Sequence, residues 1–100
     1  MNKNDPKQKI LDAAVEISRT KGYNRITRNE VAEQAGGIAG SSVHYHFKTM
    51  TKLRRDIMRA AVRNEVIEVV AQGLALRDPH ALKAPLELRG QAVDFMLSQE

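Results

Sequence analysis

With 100 residues and 42% hydrophobic side chains, the chain has room for one modest core and not for two. Cysteine is absent, which excludes a disulfide framework and any thiolate metal site. The net charge of +4 is unevenly placed: residues 1–63 carry thirteen Lys and Arg against six Asp and Glu, and residues 64–100 carry three against six. A basic half of this kind suits a phosphate backbone, although solvated cations on helix faces give the same count.

Aromatic residues are few, Tyr23, Tyr45, Phe47 and Phe95, so the core must rely on Ile, Leu, Val, Ala and Met. That palette suits helices packed on helices. The opening MNKNDPKQK is polar, with no apolar stretch behind it to make a signal peptide. No apolar run approaches the ~20 residues a membrane span needs. A soluble protein of a reducing cytoplasm is expected.

Taken in chain order, residues 1–6 read as a polar lead-in that ends in Asp5-Pro6, an N-cap followed by a first-turn proline. Ile10, Leu11, Ala14, Val15, Ile17 and Ser18 then recur at helical spacing, with Lys7, Lys9, Asp12, Glu16 and Arg19 opposite them. Gly22 supplies a C-terminal stop, so a first helix is predicted over about 7–21. Tyr23 and Ile26 fold back toward the core.

Thr27-Arg28-Asn29-Glu30 fits the capping box, in which hydroxyl and carboxylate satisfy orphan amides reciprocally. Val31, Ala32 and Ala35 form a small apolar face, and Gly36-Gly37 end a second helix at about 28–35. A third helix starts near Ala39 or Gly40. Val43, His46 and Phe47 make its inner stripe, leaving Ser41, Ser42, His44 and Tyr45 outward. Two short helices around a glycine turn are the layout of a helix-turn-helix, whose second helix can enter the major groove of DNA. Small polar groups followed by an exposed aromatic suit phosphates and base edges.

Thr49 is a fair N-cap for a fourth helix. Leu53, Ile57, Ala60, Ala61, Asn64, Ile67, Ala71 and Leu74 give it one long stripe, and Lys52, Arg54, Arg55, Arg59 and Arg63 crowd its first half. VIEVVAQGLAL, from Val66 to Leu76, is apolar on more than one side. The flank of a small bundle and a dimer interface both account for it. Asp78-Pro79 restarts the chain, and Ala84-Pro85 interrupts it again before a last helix at about 85–98, outlined by Leu86, Val93, Met96 and Leu97 and weakened by Gly90.

Residues 10–53 resemble the N-terminal DNA-binding domain of the TetR/AcrR family of transcriptional regulators. The pieces that carry the resemblance are ILDAAVEI, KGY at 21–23, ITRNEVAEQAG at 26–36, SSVHYHF at 41–47, and Leu53 at the family's distance from Phe47. The resemblance implies hydroxyl contacts to phosphate from Thr27 and Ser42, a phosphate or base contact from Arg28, and a base-reading position at Tyr45. Thr27 is equally accounted for by its capping role, and Arg28 by a solvated charge. Three departures stand out. The turn is one residue longer than the family's, His44 and His46 replace tyrosines, and the family's phosphate-gripping lysine falls at Met50, with Lys48 or Lys52 to substitute. Two glycines are expected to absorb the added residue.

A metal reading of His44 and His46 fails, because an i, i+2 pair on a helix points about 200° apart. His44 is assigned to phosphate and His46 to the core. No phosphate-binding glycine loop or nucleophile elbow supports an enzyme, and no cofactor is expected. Family members carry a long C-terminal domain that binds an inducer. About 50 residues follow the reading head here, too few for a full ligand pocket, in a fragment or a naturally short regulator.

The expected architecture is therefore all-α: a helix-turn-helix bundle over 1–50, then a support and dimerisation segment over 51–100 made of a long fourth helix and one or two short ones. The expected function is sequence-specific binding of double-stranded DNA by a homodimer at the nucleoid, through Thr27, Arg28, Ser41, Ser42, His44, Tyr45, Lys48 and Lys52. The alternative is a protein-interaction module on a degenerate helix-turn-helix, with Val66–Leu76 and Val93–Leu97 as its adhesive surface.

Overall fold

The helical signals of the sequence close around a shared core. A computed structural model describes residues 5–99 and gives, among them, seven helices and no strand. They are α1 (Pro6–Lys21), α2 (Arg28–Gln34), α3 (Gly40–Phe47), α4 (Met50–Arg63), α5 (Ile67–Ala75), α6 (Pro79–Leu82) and α7 (Leu86–Ser98). Of the expected lead-in, residues 1–4 lie outside the described part. The fold is all-α, and no described helix is long and apolar enough to cross a membrane.

The caps fall where their chemistry requires. Asp5 accepts the Lys7 amide at 3.0 Å, Thr49 that of Lys52 at 3.0 Å, and Asp78 that of His80 at 2.8 Å. Ile10 and Ala14 from α1, Val31 from α2, Val43 and Phe47 from α3, Leu53 and Ile57 from α4, and Val69 and Val70 from α5 form one continuous buried cluster.

The long stripe of the fourth helix is divided between two helices. α4 stops at Arg63 in a Schellman motif: Asn64 is the cap, the Glu65 amide reaches Val62 O, and the Val66 amide reaches Ala61 O at 2.8 Å. Glu65 takes the left-handed conformation such an end requires, φ 56°, without being glycine. The chain then turns into α5, and Val66–Leu76 becomes the flank of the bundle. Val69, Val70, Ala71 and Gly73 are buried there, while Leu76 is exposed. α4, α5 and α6 meet around Gly73, where a Cβ would lie 2.6 Å from Met58 Cε and 2.7 Å from Ala81 Cβ.

The last helix divides its apolar residues between two faces. Leu88 and Ala92 are the buried residues of α7, with Phe95 and Met96 packed at the edge of the core. Of the residues that outline this helix in the sequence, Leu86, Val93 and Leu97 are exposed.

A polar clamp ties the α1–α2 corner to the C-terminal half. Gln72 on α5 donates to Ser18 O at 2.7 Å and accepts the Tyr23 amide at 2.8 Å. The Tyr23 hydroxyl donates to Asp78 at 2.9 Å. These bonds cross about fifty residues of sequence and fix α1 and the start of the helix-turn-helix against α5 and α6.

Candidate nucleic-acid interface

α2 begins on a complete capping box: Thr27 Oγ1 accepts the Glu30 amide at 3.2 Å, and Glu30 accepts the Thr27 amide at 2.9 Å. The second Glu30 oxygen pairs with Lys21. Thr27 thus spends its acceptor on the cap but stays exposed, as does Arg28 beside it. α2 ends in a second Schellman motif, with the Gly36 amide on Glu33 O and the Gly37 amide on Ala32 O. Gly36 (φ 106°) and Gly37 (φ 80°) both take positive φ. Two such residues in succession reverse the chain before α3 starts at Gly40.

Arg28 and Asn29 lie across the start of α3. A Cβ on Gly40 would stand 2.7 Å from Asn29 Oδ1 and 3.7 Å from Arg28 Nε. The α2 and α3 N-termini therefore approach to side-chain contact, and Arg28 is held at the entrance of the second helix. Val43 and Phe47 anchor α3 in the core. Ser41, His44 and Tyr45 are exposed, Tyr45 at 70%, and Ser42 is half-buried. His46, assigned to the core from the sequence, is only partly buried and meets the Tyr45 ring edge-on at 5.1 Å.

Lys48 links α3 to α4 through a γ-turn of positive φ, 67°, in which the Thr49 amide reaches Phe47 O at 2.7 Å. Its ammonium lies 5.2 Å from the centre of the Tyr45 ring. Thr27, Arg28, His44 and Lys48 share the rim of a groove of about 460 Å³ over the α2–α3–α4 junction, together with Thr49 and Arg54. Ser41, Ser42 and Tyr45 follow the outer face of α3 beyond this groove, and Lys52 lies outside it along α4.

Sequence reasoning passed over four neighbours. Lys7 sits over the Phe47 ring at 5.4 Å, and Lys9 Nζ lies 4.0 Å from where a Gly36 Cβ would be. Asn29 lies at the start of α3, and the buried Arg54 Nε has no hydrogen-bond partner. Only the helical register of α1 against Phe47 could have flagged the two lysines, because their own stretch reads as an ordinary solvated face. Among the described residues, Lys7, Lys9, Arg28, Lys48, Lys52 and Arg54 have no carboxylate within ion-pair distance. Their charge is left to project into solvent around the helix-turn-helix. No three His, Asp or Glu side chains come together to hold a metal ion among the described residues.

A two-helix unit on a glycine turn, with a polar outer face and uncompensated cations around it, has the charge and layout that suit a polyanion. The family model for bacterial regulatory proteins of the tetR family matches residues 10–61, which run from the first core residue of α1 to nearly the end of α4. No curated protein and no solved structure matches the chain significantly. The matched span contains the whole helix-turn-helix and the helix that supports it, so the chain belongs to the TetR family of bacterial regulatory proteins and is a helix-turn-helix DNA-binding regulator.

Proposed function

We propose that the chain binds a specific sequence of double-stranded DNA as a homodimer and regulates transcription from it, without catalysis or a cofactor. α3 enters the major groove and Tyr45 reads bases, with Ser41 beside it. Arg28 reaches a base edge or phosphate from the start of α3. Thr27, Ser42 and His44 bond phosphate oxygens, and Lys48 and Lys52 clamp the backbone from the start of α4. Residues 51–100 serve as the support and dimerisation segment. The reading locates the protein at the nucleoid of the cytoplasm and needs no small-molecule inducer.

The observation that carries this reading is the pairing of an exposed polar α3 face with cations that the fold leaves uncompensated. Base contacts specify and phosphate contacts position, and this surface offers both kinds of group side by side. Two-fold symmetry in the protein requires two half-sites on one face of the duplex.

Selection from random duplex oligonucleotides tests it. Enrichment of a two-fold site is expected, with affinity that falls steeply as salt rises, because neutralised phosphates release counterions. Failure to enrich any site, with the exposed apolar residues of α7 still adhesive to other proteins, favours the interaction module instead. Binding that ignores salt also counts against the DNA reading.

A further inference from the structure

The chain has three histidines and no cysteine, and imidazoles are the side chains whose ordinary titration falls between pH 5 and 8. The fold puts the three in different surroundings. His44 is exposed on the rim of the groove at the α2–α3–α4 junction. His46 is partly buried and edge-on to the Tyr45 ring, and it does not line that groove. His80 borders a separate cleft of about 470 Å³ between α4 and α6, with Tyr23, Asp78, Arg54 and Arg55. Of the three, His44 alone lines the groove that holds Arg28, Lys48 and Arg54.

The charged groups around His44 have one sign. α3 packs against α1, α2 and α4. Arg28 comes to the groove from the start of α2, Lys48 from the end of α3 and Arg54 from α4, with Thr27 and Thr49 alongside. α1 contributes Lys7, over the Phe47 ring at 5.4 Å. No Asp or Glu lines the groove among the described residues. On the same helices, Glu30 is held by the capping box and Lys21, Asp56 by Arg55, and Asp12 by Gln8. An imidazole with no carboxylate beside it gains its counter-charge only when an anion enters the groove. A phosphate oxygen there favours the imidazolium over the neutral ring, both by its charge and by accepting the ring N–H.

We propose that His44 engages the DNA backbone as the imidazolium, so that each chain takes up a proton from solvent as a phosphate seats in the groove. Affinity for the site then rises as pH falls from 8 to 6. The proposal rests on the DNA-binding reading and adds a regulation to it. Because the complex holds the proton more tightly than the free chain, DNA and protons strengthen each other's binding. A phosphate that favours the imidazolium by roughly tenfold raises affinity roughly three- to tenfold between pH 8 and 6. The charged ring also neutralises one more phosphate, so the salt dependence steepens by about one counterion per chain at the lower pH.

Titration of the selected duplex at fixed salt, at pH 6, 7 and 8, reads this directly. Wild type should gain roughly three- to tenfold in affinity across that range. His44→Gln keeps a neutral donor at the same position and should bind nearly equally at all three. His44→Lys is charged throughout and should hold the affinity of acid wild type at every pH, which a change of shape alone would not produce. Both variants should keep the wild-type far-ultraviolet spectrum, because residue 44 already stands in solvent. Calorimetry in two buffers of different ionisation heat counts the proton, and the uptake should vanish in His44→Gln. Wild-type affinity that ignores pH overturns the inference and leaves the DNA reading standing, since a site is still bound. A pH dependence that persists in His44→Gln, or that His46→Gln or His80→Gln removes instead, overturns it as well. A chain that selects no duplex at all loses the inference together with the reading beneath it.

Discussion

Tyr45 is held outward by two anchors on its own helix, Val43 and Phe47, both 1% exposed, so the ring has no freedom to turn into the core. Arg28 is brought to the same surface by a different device, the capped start of α2 lying across Gly40. Because the two side chains reach the surface from separate elements, they act independently, and Arg28→Ala and Tyr45→Ala should each weaken binding to the selected site by about 1–3 kcal/mol while leaving non-specific binding nearly unchanged for Tyr45. Titration of site and scrambled duplex checks it, and equal losses on both duplexes would remove the base-reading role of Tyr45. The turn that sets the height of α3 is a second residue-scale question. Gly37 holds φ 80° in open space, so Gly37→Ala meets no clash and pays only the left-handed backbone cost of about 1–2 kcal/mol. A lower urea midpoint is expected, with a larger loss of site binding than of stability because α3 is re-aimed. At this scale the sequence was legible where a residue's chemistry is local: Thr27, Thr49, Asp5 and Asp78 cap as their side chains dictate. It was silent where a neighbour is distant, as with Lys7 over Phe47.

Helix C-termini were readable only when glycine marked them, whereas helix starts were readable from a capping side chain or a first-turn proline. α2 closes on Gly36 and α6 opens on Pro79, and both ends were foreseen. The α4–α5 break was not, because a Schellman end there uses Glu65 and the apolar period runs straight through it from Leu53 to Leu74. The same substitution of a side chain for glycine recurs at Arg77, φ 59°, where the Asp78 amide closes on Gly73 O at 2.8 Å. What bends the chain at residue 65 is tertiary: Val69 and Val70 bury completely only once α5 has turned back across α1 and α4. Glu65→Gly should therefore stabilise the protein by about 0.5–1 kcal/mol, since glycine adopts the left-handed position without strain. Thermal or urea unfolding measures it, and a destabilised variant would mean that the Glu65 side chain contributes more than its backbone costs.

At the scale of the whole molecule, the reading head stays attached to its support through a continuous apolar core, the Arg19–Glu68 ion pair and a polar clamp centred on Tyr23 and Gln72. The core tolerates small rearrangements, whereas the clamp is specific, because Tyr23 spends its amide on Gln72 and its hydroxyl on Asp78. Burial pushes the Tyr23 phenol far above its ordinary range, and the hydrogen bond to Asp78 adds to the shift. The folded state therefore prefers the neutral phenol more strongly than the unfolded chain does. A pKa raised on folding contributes stability that is whole below the unfolded value, about 10, and that drains away as pH climbs above it. Tyr23→Phe removes one hydrogen bond to a carboxylate and leaves Asp78 short of a donor, a loss of about 1–3 kcal/mol at pH 7. Wild type and variant share every other titrating group, so the difference between them isolates the phenol. Urea unfolding of both proteins at pH 7, 9 and 10.5 should show a constant gap between the first two and a narrower one at the third. A gap unchanged at pH 10.5 would mean that Tyr23 titrates alike in both states and that its hydroxyl is solvated, leaving the Gln72 bonds to Ser18 and the Tyr23 amide as the clamp.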